Sequence, residues 1–178
     1  AQNTPWPAPG PHAFEILRQP LWNGQAFAIP DGRCIDLVWS GYGSPAEFPG
    51  SRFTTPGLPV TILFDATGRV RQIFRRKDVS QPRVTVSGPV FLLVGRVDRA
   101  TNDPTLPSTF DGTDDTKGFN WQYGDSFWIG IDPTSGLVRT AECRPVPGTI
   151  NPNDAVALQQ ALALSQQFIR SEMPVTGR

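Results

Sequence analysis

Two aspartates occupy matching positions in two similar segments, and they are the residues of this chain that most resemble a catalytic pair. Asp65 begins the sequence Asp-Ala-Thr-Gly, and Asp132 begins the sequence Asp-Pro-Thr-Ser-Gly. Two carboxylates can share the general acid–base work of a hydrolase. An aspartate followed closely by glycine, here Gly68 or Gly136, is also typical of a hairpin turn, where the carboxylate bonds nearby backbone. We interpret all four as structural turn residues, assign no catalytic residue and predict no enzymatic activity, with a carboxylate-pair hydrolase as the third alternative.

Metal and cofactor chemistry has few candidate residues. His12 is the single histidine, so a histidine-based metal site or a Ser-His-Asp triad is not expected. Three acidic residues, Asp111, Asp114 and Asp115, lie in a long polar segment and resemble a cation-binding loop. They lack the ligand spacing of an EF-hand and its Glu at position 12. We predict a solvated loop without a metal or a cofactor, and keep a calcium site as the alternative.

The two cysteines leave the redox state of the chain open. Cys34 lies in a predicted strand and Cys143 lies just after another. They could form a disulfide in an exported protein, whereas two free thiols would fit the reducing cytosol equally well.

A group of aromatic residues could bind a glycan. Trp121, Tyr123 and Trp128 follow an Asn- and Asp-rich stretch, and sugars stack on aromatic rings while polar neighbours bond their hydroxyl groups. The same residues could instead form the core of a hairpin. Trp6 lies in a proline-rich arm, where it could pack on its own domain or contact a neighbouring subunit.

Composition limits the class of protein. The chain of 178 residues fits one domain, and its 17 glycines and 19 prolines interrupt apolar runs without forming a low-complexity tract. It carries 16 basic and 16 acidic residues, so its net charge is zero. The chain therefore lacks the excess of positive charge that attracts nucleic acid. No apolar run is long enough to span a membrane. The start at Ala1 suggests a mature or excised fragment.

The elements that position these residues are mostly strands. We predict that 60–65 pairs with 69–74, and that 127–132 pairs with 137–142, each as a β-hairpin. Asn151 as N-cap, followed by proline, predicts a helix over 152–172. The predicted fold class is α+β, mostly antiparallel β-structure with two or more hairpins and one long C-terminal α-helix.

Three regions follow from these elements. Residues 1–13 form an extended proline-rich arm, 14–148 form the β-rich domain, and 149–178 form the C-terminal helix and tail. Within the domain, the polar loop 98–123 is unusually long and contains little that could anchor it. We therefore expect this loop to be mobile or to order only against a partner.

The two hairpins carry a family resemblance. The stretch Ile62-Leu-Phe-Asp-Ala-Thr-Gly-Arg-Val70 resembles a repeated unit of type IV pilin-like proteins, above all minor pseudopilins of the GspH/FimT type in bacteria. The stretch 124–141 resembles the second such unit, and the resemblance spans about 14–143. It implies the globular C-terminal β region of such a protein, with a structural role and no catalysis.

The sequence favours two functions over the hydrolase. The first is a non-enzymatic structural or assembly domain of an exported bacterial surface apparatus, which contacts other protein subunits. The second is an extracellular binding module for a glycan or another ligand, which uses Trp121, Tyr123 and Trp128. Both imply an extracellular, periplasmic or cell-surface location and no nucleic-acid partner.

Overall fold

The computed structural model describes residues 29–53, 60–75, 83–84, 86, 88–110 and 114–173. Within these ranges there are ten strands: β1 (Arg33–Ile35), β2 (Gly41–Tyr42), β3 (Val60–Phe64), β4 (Val70–Arg75), β5 (Arg83–Val84), β6 (Val90–Arg96), β7 (Ser108–Phe110), β8 (Phe127–Ile131), β9 (Val138–Glu142) and β10 (Gly148–Ile150). The helices are α1 (Phe48–Ser51), α2 (Val97–Ala100), α3 (Ala155–Ser165) and α4 (Gln167–Glu172), with a 3₁₀ turn at Asn120–Gln122. The predicted arm 1–13, including Trp6, lies outside the described residues.

The main sheet is antiparallel and has β6 at its centre. Its strand order is β1-β6-β8-β9, and β2 also pairs with β6 beyond the end of β1. The unbroken apolar run 90–94 predicts a strand buried on both faces, and four of its five residues are buried. Two smaller sheets, β3-β4-β5 and β7-β10, complete the β-structure of the described residues.

Both predicted hairpins are confirmed. Strand β3 pairs with β4 from Val60 opposite Arg75, and β8 pairs with β9 from Phe127 opposite Glu142. Their turn glycines, Gly68 and Gly136, have φ angles of 85° and 70°, in the left-handed region that favours glycine.

The two turns lie against each other, which the sequence did not indicate. We call residues 65–69 and 132–137 the turn pair. Val70 N, which directly follows the first turn, donates a hydrogen bond of 3.0 Å to Pro133 O in the second. A Cβ atom placed on Gly136 would lie only 1.7 Å from Gly68 O. The absence of a side chain at Gly136 therefore permits the contact.

Two apolar clusters cover the two faces of the main sheet. On one face, α3 and α4 pack over Trp128, Phe91 and other aromatic residues in the larger cluster. On the opposite face, β4 places Val70 and Ile73 against Val90 and Ile131 in the smaller cluster. The main sheet is thus the middle layer of the fold.

The prediction of one long C-terminal helix is wrong. The helical residues form two short helices, α3 and α4, which meet at Gln166 with φ −85° and ψ 3°. At this break Ser165 O accepts a hydrogen bond of 3.1 Å from Arg144 N, a partner outside the helices. The bond to a distant segment accompanies the change of backbone conformation that ends α3.

The predicted helix start is also displaced. Asp154, and not Asn151, is the N-cap of α3, because its Oδ1 accepts hydrogen bonds from Val156 N and Ala157 N at 3.1 and 3.0 Å. Asn151 Oδ1 accepts instead from Asn153 N and forms a local turn. Among the described residues, no helix has the length and apolar character needed to cross a membrane.

The contact within the turn pair can be tested with two alanine substitutions. Gly68→Ala should lower the free energy of unfolding by about 1–2 kcal/mol, since it only places a Cβ in the left-handed region. Gly136→Ala should cost about 1–3 kcal/mol more, because its Cβ would also meet Gly68 O and force the turns apart. Urea denaturation of both variants measures the difference, and equal costs would contradict the close contact of the turns.

Candidate functional site

The carboxylates of the turn pair stabilise their own turns. Asp65 Oδ1 accepts hydrogen bonds from Thr67 N and Thr67 Oγ1 at 2.8 and 2.6 Å. Asp132 Oδ1 accepts from Thr134 N and Ser135 N at 2.9 and 2.7 Å. The bonds from Thr67 also lower the pKa of the Asp65 carboxyl. Each aspartate shapes local backbone, and this geometry supports the turn role over a catalytic pair.

Exposed apolar side chains flank the turn pair. Phe64 immediately precedes the first turn and has 48% of its surface exposed. Leu137 and Val138 end and follow the second turn, with 38% and 50% exposed. We call these three residues the turn-pair surface. Such exposed side chains can pack against an apolar partner but offer no acid, base or nucleophile.

The aromatic residues considered for glycan binding are buried. Trp121 and Trp128 have no exposed surface, and Tyr123 is also buried. Trp121 lies 5.6 Å from Trp39 between ring centroids, and Trp128 Nε1 donates a hydrogen bond of 3.1 Å to Ser165 Oγ. Because their ring faces contact the core, these rings are not available to stack on a sugar.

A buried arginine anchors the long polar loop. The Arg99 side chain is only 1% exposed, and its guanidinium lies 3.6 Å from the centroid of the Tyr123 ring. Arg99 Nε donates to Asp115 O and Nη1 donates to Asp125 Oδ1, both at 2.6 Å. The sequence does not indicate this anchor, because a buried arginine in a polar stretch has the same local pattern as a solvated one.

The acidic residues of the loop also have protein partners. Asp114 Oδ1 accepts hydrogen bonds from Thr116 N and Oγ1 at 3.0 and 2.6 Å, and these bonds lower the pKa of Asp114 to about 2. Asp115 forms an ion pair of 2.5 Å with Arg96. Asp111 lies outside the described residues. In the ranges that the structure describes, no group of three acidic, cysteine or histidine side chains is arranged to hold a metal ion.

Asp36 is buried inside the protein, and the pKa of its carboxyl is raised. Burial raises its pKa to about 6, against the opposing effects of a hydrogen bond from Asn120 and the charge of Arg52. Asn120 Nδ2 donates to Asp36 Oδ2 at 3.0 Å, and Asn120 Oδ1 accepts from Arg96 N at 2.8 Å. A raised pKa is common in active sites, but structural networks produce it too. Since Asp36 is only 3% exposed, we assign it to such a network.

The predicted strand that contains Cys34 is short, and the backbone of Asp36 contributes to its end. The strand ends at Ile35 and a turn follows at 37–39. Ser40 Oγ donates to Asp36 O at 2.7 Å and accepts from Leu93 N at 2.9 Å. The Ser40 hydroxyl thus replaces a strand partner for Leu93 N of β6, in the gap between β1 and β2.

The two cysteines are free thiols and are far apart. Cys34 pairs with Gly95 on β6, whereas Cys143 N bonds Ser126 O beside β8. They are separated by three strand spacings, about 14 Å, and a disulfide needs Cα atoms within about 7 Å. Burial raises the pKa of Cys143 to about 12, and the pKa of Cys34 is also raised, mainly by burial.

The titration of Asp36 gives a prediction for stability against pH. Its pKa in the folded protein is about 6, above the ordinary 3.8, so the folded state binds this proton more tightly than the unfolded state. The resulting stabilisation is complete below about pH 4 and is lost as the pH rises through about 6. The free energy of unfolding of the wild type, relative to Asp36→Asn, should fall by up to about 3 kcal/mol across this interval.

Urea denaturation at about pH 4, 5, 6 and 7 measures this difference. Asp65→Asn is the control, because the pKa of Asp65 is lowered and its substitution should not reproduce the fall. A difference between wild type and Asp36→Asn that is independent of pH would contradict the assignment.

The thiols give a second prediction. In the folded protein a disulfide-exchange reagent should modify Cys34 slowly and leave Cys143 unmodified, because the thiolate is the reactive form and Cys143 is almost completely buried. Both should react after denaturation, and Cys34→Ser should abolish the reaction in the folded state. Mass spectrometry without reductant that showed a Cys34–Cys143 crosslink would contradict this arrangement.

The chain was compared with protein-family models, curated proteins and solved structures, and none of them matches it. The relationship to pilin-like proteins therefore stays a prediction based on the residues of the two hairpins.

Proposed function

We propose that this chain is a non-enzymatic structural or assembly domain of an exported, pseudopilin-like bacterial apparatus. In this proposal it contacts neighbouring protein subunits through the turn-pair surface, Phe64, Leu137 and Val138. The observation that carries the proposal is the exposure of these apolar side chains beside two turns that contact each other.

The rigidity of the turns supports a contact role. The carboxylates of Asp65 and Asp132 bond the backbone of their own turns, and Val70 N connects one turn to the other. A surface that is ordered before binding loses little conformational freedom on association. Burial of the apolar side chains then stabilises the complex. The favourable free energy is about 25 cal/mol for each Å² of apolar surface removed from water.

The alternative functions have less support in the geometry. Glycan stacking would need the rings of Trp121, Tyr123 and Trp128, which pack inside the domain. A hydrolase would need Asp65 and Asp132 to act on a substrate, whereas both carboxylates are held by their turns. We therefore propose neither a glycan site nor a catalytic pair at these residues.

Replacement of the apolar side chains tests the contact. The double variant Phe64→Ser, Val138→Ser should raise the concentration needed for self-association at least about tenfold, equivalent to about 1.4 kcal/mol. Its melting temperature should change little, because both side chains are about half exposed. Sedimentation velocity over a range of concentrations measures association, and calorimetry measures stability.

Val156→Ser is the matched control, because Val156 is 65% exposed but lies on α3, away from the turns. It should affect neither association nor melting temperature. A wild-type chain that stays monomeric at the highest concentration, or a double variant that associates normally, would contradict the proposed contact.

A further inference from the structure

Strand β9 forms one edge of the main sheet. It pairs with β8 along its whole length, from Phe127 opposite Glu142 to Ile131 opposite Val138. Among the described residues, no strand pairs with its other edge. Four of its five residues are exposed, so the layers on the two faces of the sheet leave this edge accessible.

The hydrogen bonds at the two ends of β9 show which of its backbone groups point to the free edge. In an antiparallel pair, alternate residues exchange hydrogen bonds with the neighbouring strand. Asp132 N donates to Leu137 O, and Cys143 N donates to Ser126 O, each at 2.9 Å. The odd-numbered residues of β9 therefore bond β8, and the even-numbered residues direct their N–H and C=O groups to the free edge.

These outward-facing residues are Val138, Thr140 and Glu142. Within the part of the chain that the structure describes, their backbone groups have no hydrogen-bond partner. Proteins commonly block such an edge with a proline or a bulge, because an exposed edge pairs readily with another strand. The sequence of β9, Val-Arg-Thr-Ala-Glu, contains no proline, and its register to β8 is regular.

The sequence of β9 is complementary to itself when two copies pair antiparallel about Thr140. A two-fold axis at this residue places Val138 of one copy opposite Glu142 of the other. The same axis places Arg139 opposite Ala141. Every outward-facing N–H and C=O of the two strands then has a partner. No charged side chain lies directly opposite one of like charge, an arrangement that would destabilise the pair.

The neighbouring symmetric registers are less favourable. An axis at Arg139 would place this arginine opposite its own copy, and like charges directly opposite each other are destabilising. An axis at Ala141 would place Val138 opposite Arg144, whose N already donates to Ser165 O at 3.1 Å. The register about Thr140 is therefore the one that pairs all the outward-facing groups without opposing like charges.

We propose that two copies of this chain associate through antiparallel pairing of β9, with Thr140 on the two-fold axis. The two main sheets then form one continuous sheet. Two-fold dimers are the commonest oligomers, and the backbone hydrogen bonds of an added strand provide affinity in themselves. The inference rests on the proposed subunit contact, because Val138 belongs to both surfaces, and it names a second copy as the partner.

A proline at the centre of the edge tests the pairing. Thr140→Pro removes the outward-facing N–H, and an edge strand tolerates proline where this N–H faces solvent. It should raise the concentration needed for self-association at least about tenfold in sedimentation velocity, since two hydrogen bonds on the axis are lost. Thr140→Ala is the matched control, because it shortens the same side chain, keeps the N–H and should associate like the wild type.

Hydrogen exchange of the wild-type chain tests the same pairing without a substitution. The amides of Val138, Thr140 and Glu142 should exchange rapidly in dilute solution and become protected as the chain associates. The amides of Arg139 and Ala141 bond β8 and should be protected at every concentration. Protection of the outward-facing amides that does not depend on concentration would show that the edge is paired within one molecule, and would overturn the proposal.

Cysteine substitutions test the register. In a pair about Thr140 the two Cα atoms of this residue lie about 5.5 Å apart, within the range for a disulfide. The two copies of Val138 are offset by four positions along the strands, about 13 Å. In a Cys34→Ser background, Thr140→Cys should therefore form an intermolecular disulfide under mild oxidation, and Val138→Cys should not. Equal crosslinking of the two variants would contradict this register.

One further variant separates the pairing from the apolar contact. Phe64 lies on β3, so Phe64→Ser weakens the contact of the turn-pair surface and leaves β9 unchanged. Association that is weakened by Phe64→Ser and not by Thr140→Pro would keep the proposed contact and overturn the pairing. Association that is weakened by Thr140→Pro alone would support the pairing and overturn the contact. A wild-type chain that stays monomeric at the highest concentration would overturn both.

Discussion

The central constraint of this fold is that every backbone group of β6 needs a hydrogen-bond partner, because this strand is buried on both faces. Strand β8 satisfies one edge along 90–94. On the other edge β1 and β2 cover only the two ends, and Ser40 Oγ bonds Leu93 N in the gap between them. Asn120 Oδ1 bonds Arg96 N near the end of the strand. Side chains thus complete a ladder that the neighbouring strands leave incomplete.

The same requirement explains the contacts of two buried polar residues elsewhere, Ser165 and Arg99. Ser165 Oγ donates to Trp121 O at 2.6 Å and accepts from Trp128 Nε1, while its carbonyl bonds Arg144 N. One serine therefore connects the helices, the 3₁₀ turn and the second hairpin. Arg99 has a comparable role in the long polar loop, where it bonds Asp115 O and the Asp125 carboxylate. Buried polar groups in low dielectric are costly unless paired, so these contacts favour one arrangement of the connecting segments over others.

Asp36, Trp121 and Trp128 are buried inside the protein, whereas the residues proposed to contact a neighbouring subunit are apolar and exposed. The turn-pair surface exposes Phe64, Leu137 and Val138 on a support made rigid by two aspartates. A groove beside β1 and β8 is lined mainly by apolar side chains, with Arg33 and Asp125 as its charged residues.

By itself the sequence determined the features that depend on a few neighbouring residues. In each Asp-to-Gly turn the aspartate carboxylate accepts hydrogen bonds from backbone N–H groups two or three residues later. The apolar run 90–94 predicts a buried strand, and four of its five residues are buried. Only the tertiary structure decided which distant groups would meet. Ser165 bonds a carbonyl 44 residues away and Asn120 bonds a carboxylate 84 residues away. Such pairs leave no local pattern, so neither the break at Gln166 nor the interruption of the first strand could be predicted. The burial of the tryptophans had the same origin, since a ring beside a polar loop becomes core only when other strands and helices pack over it.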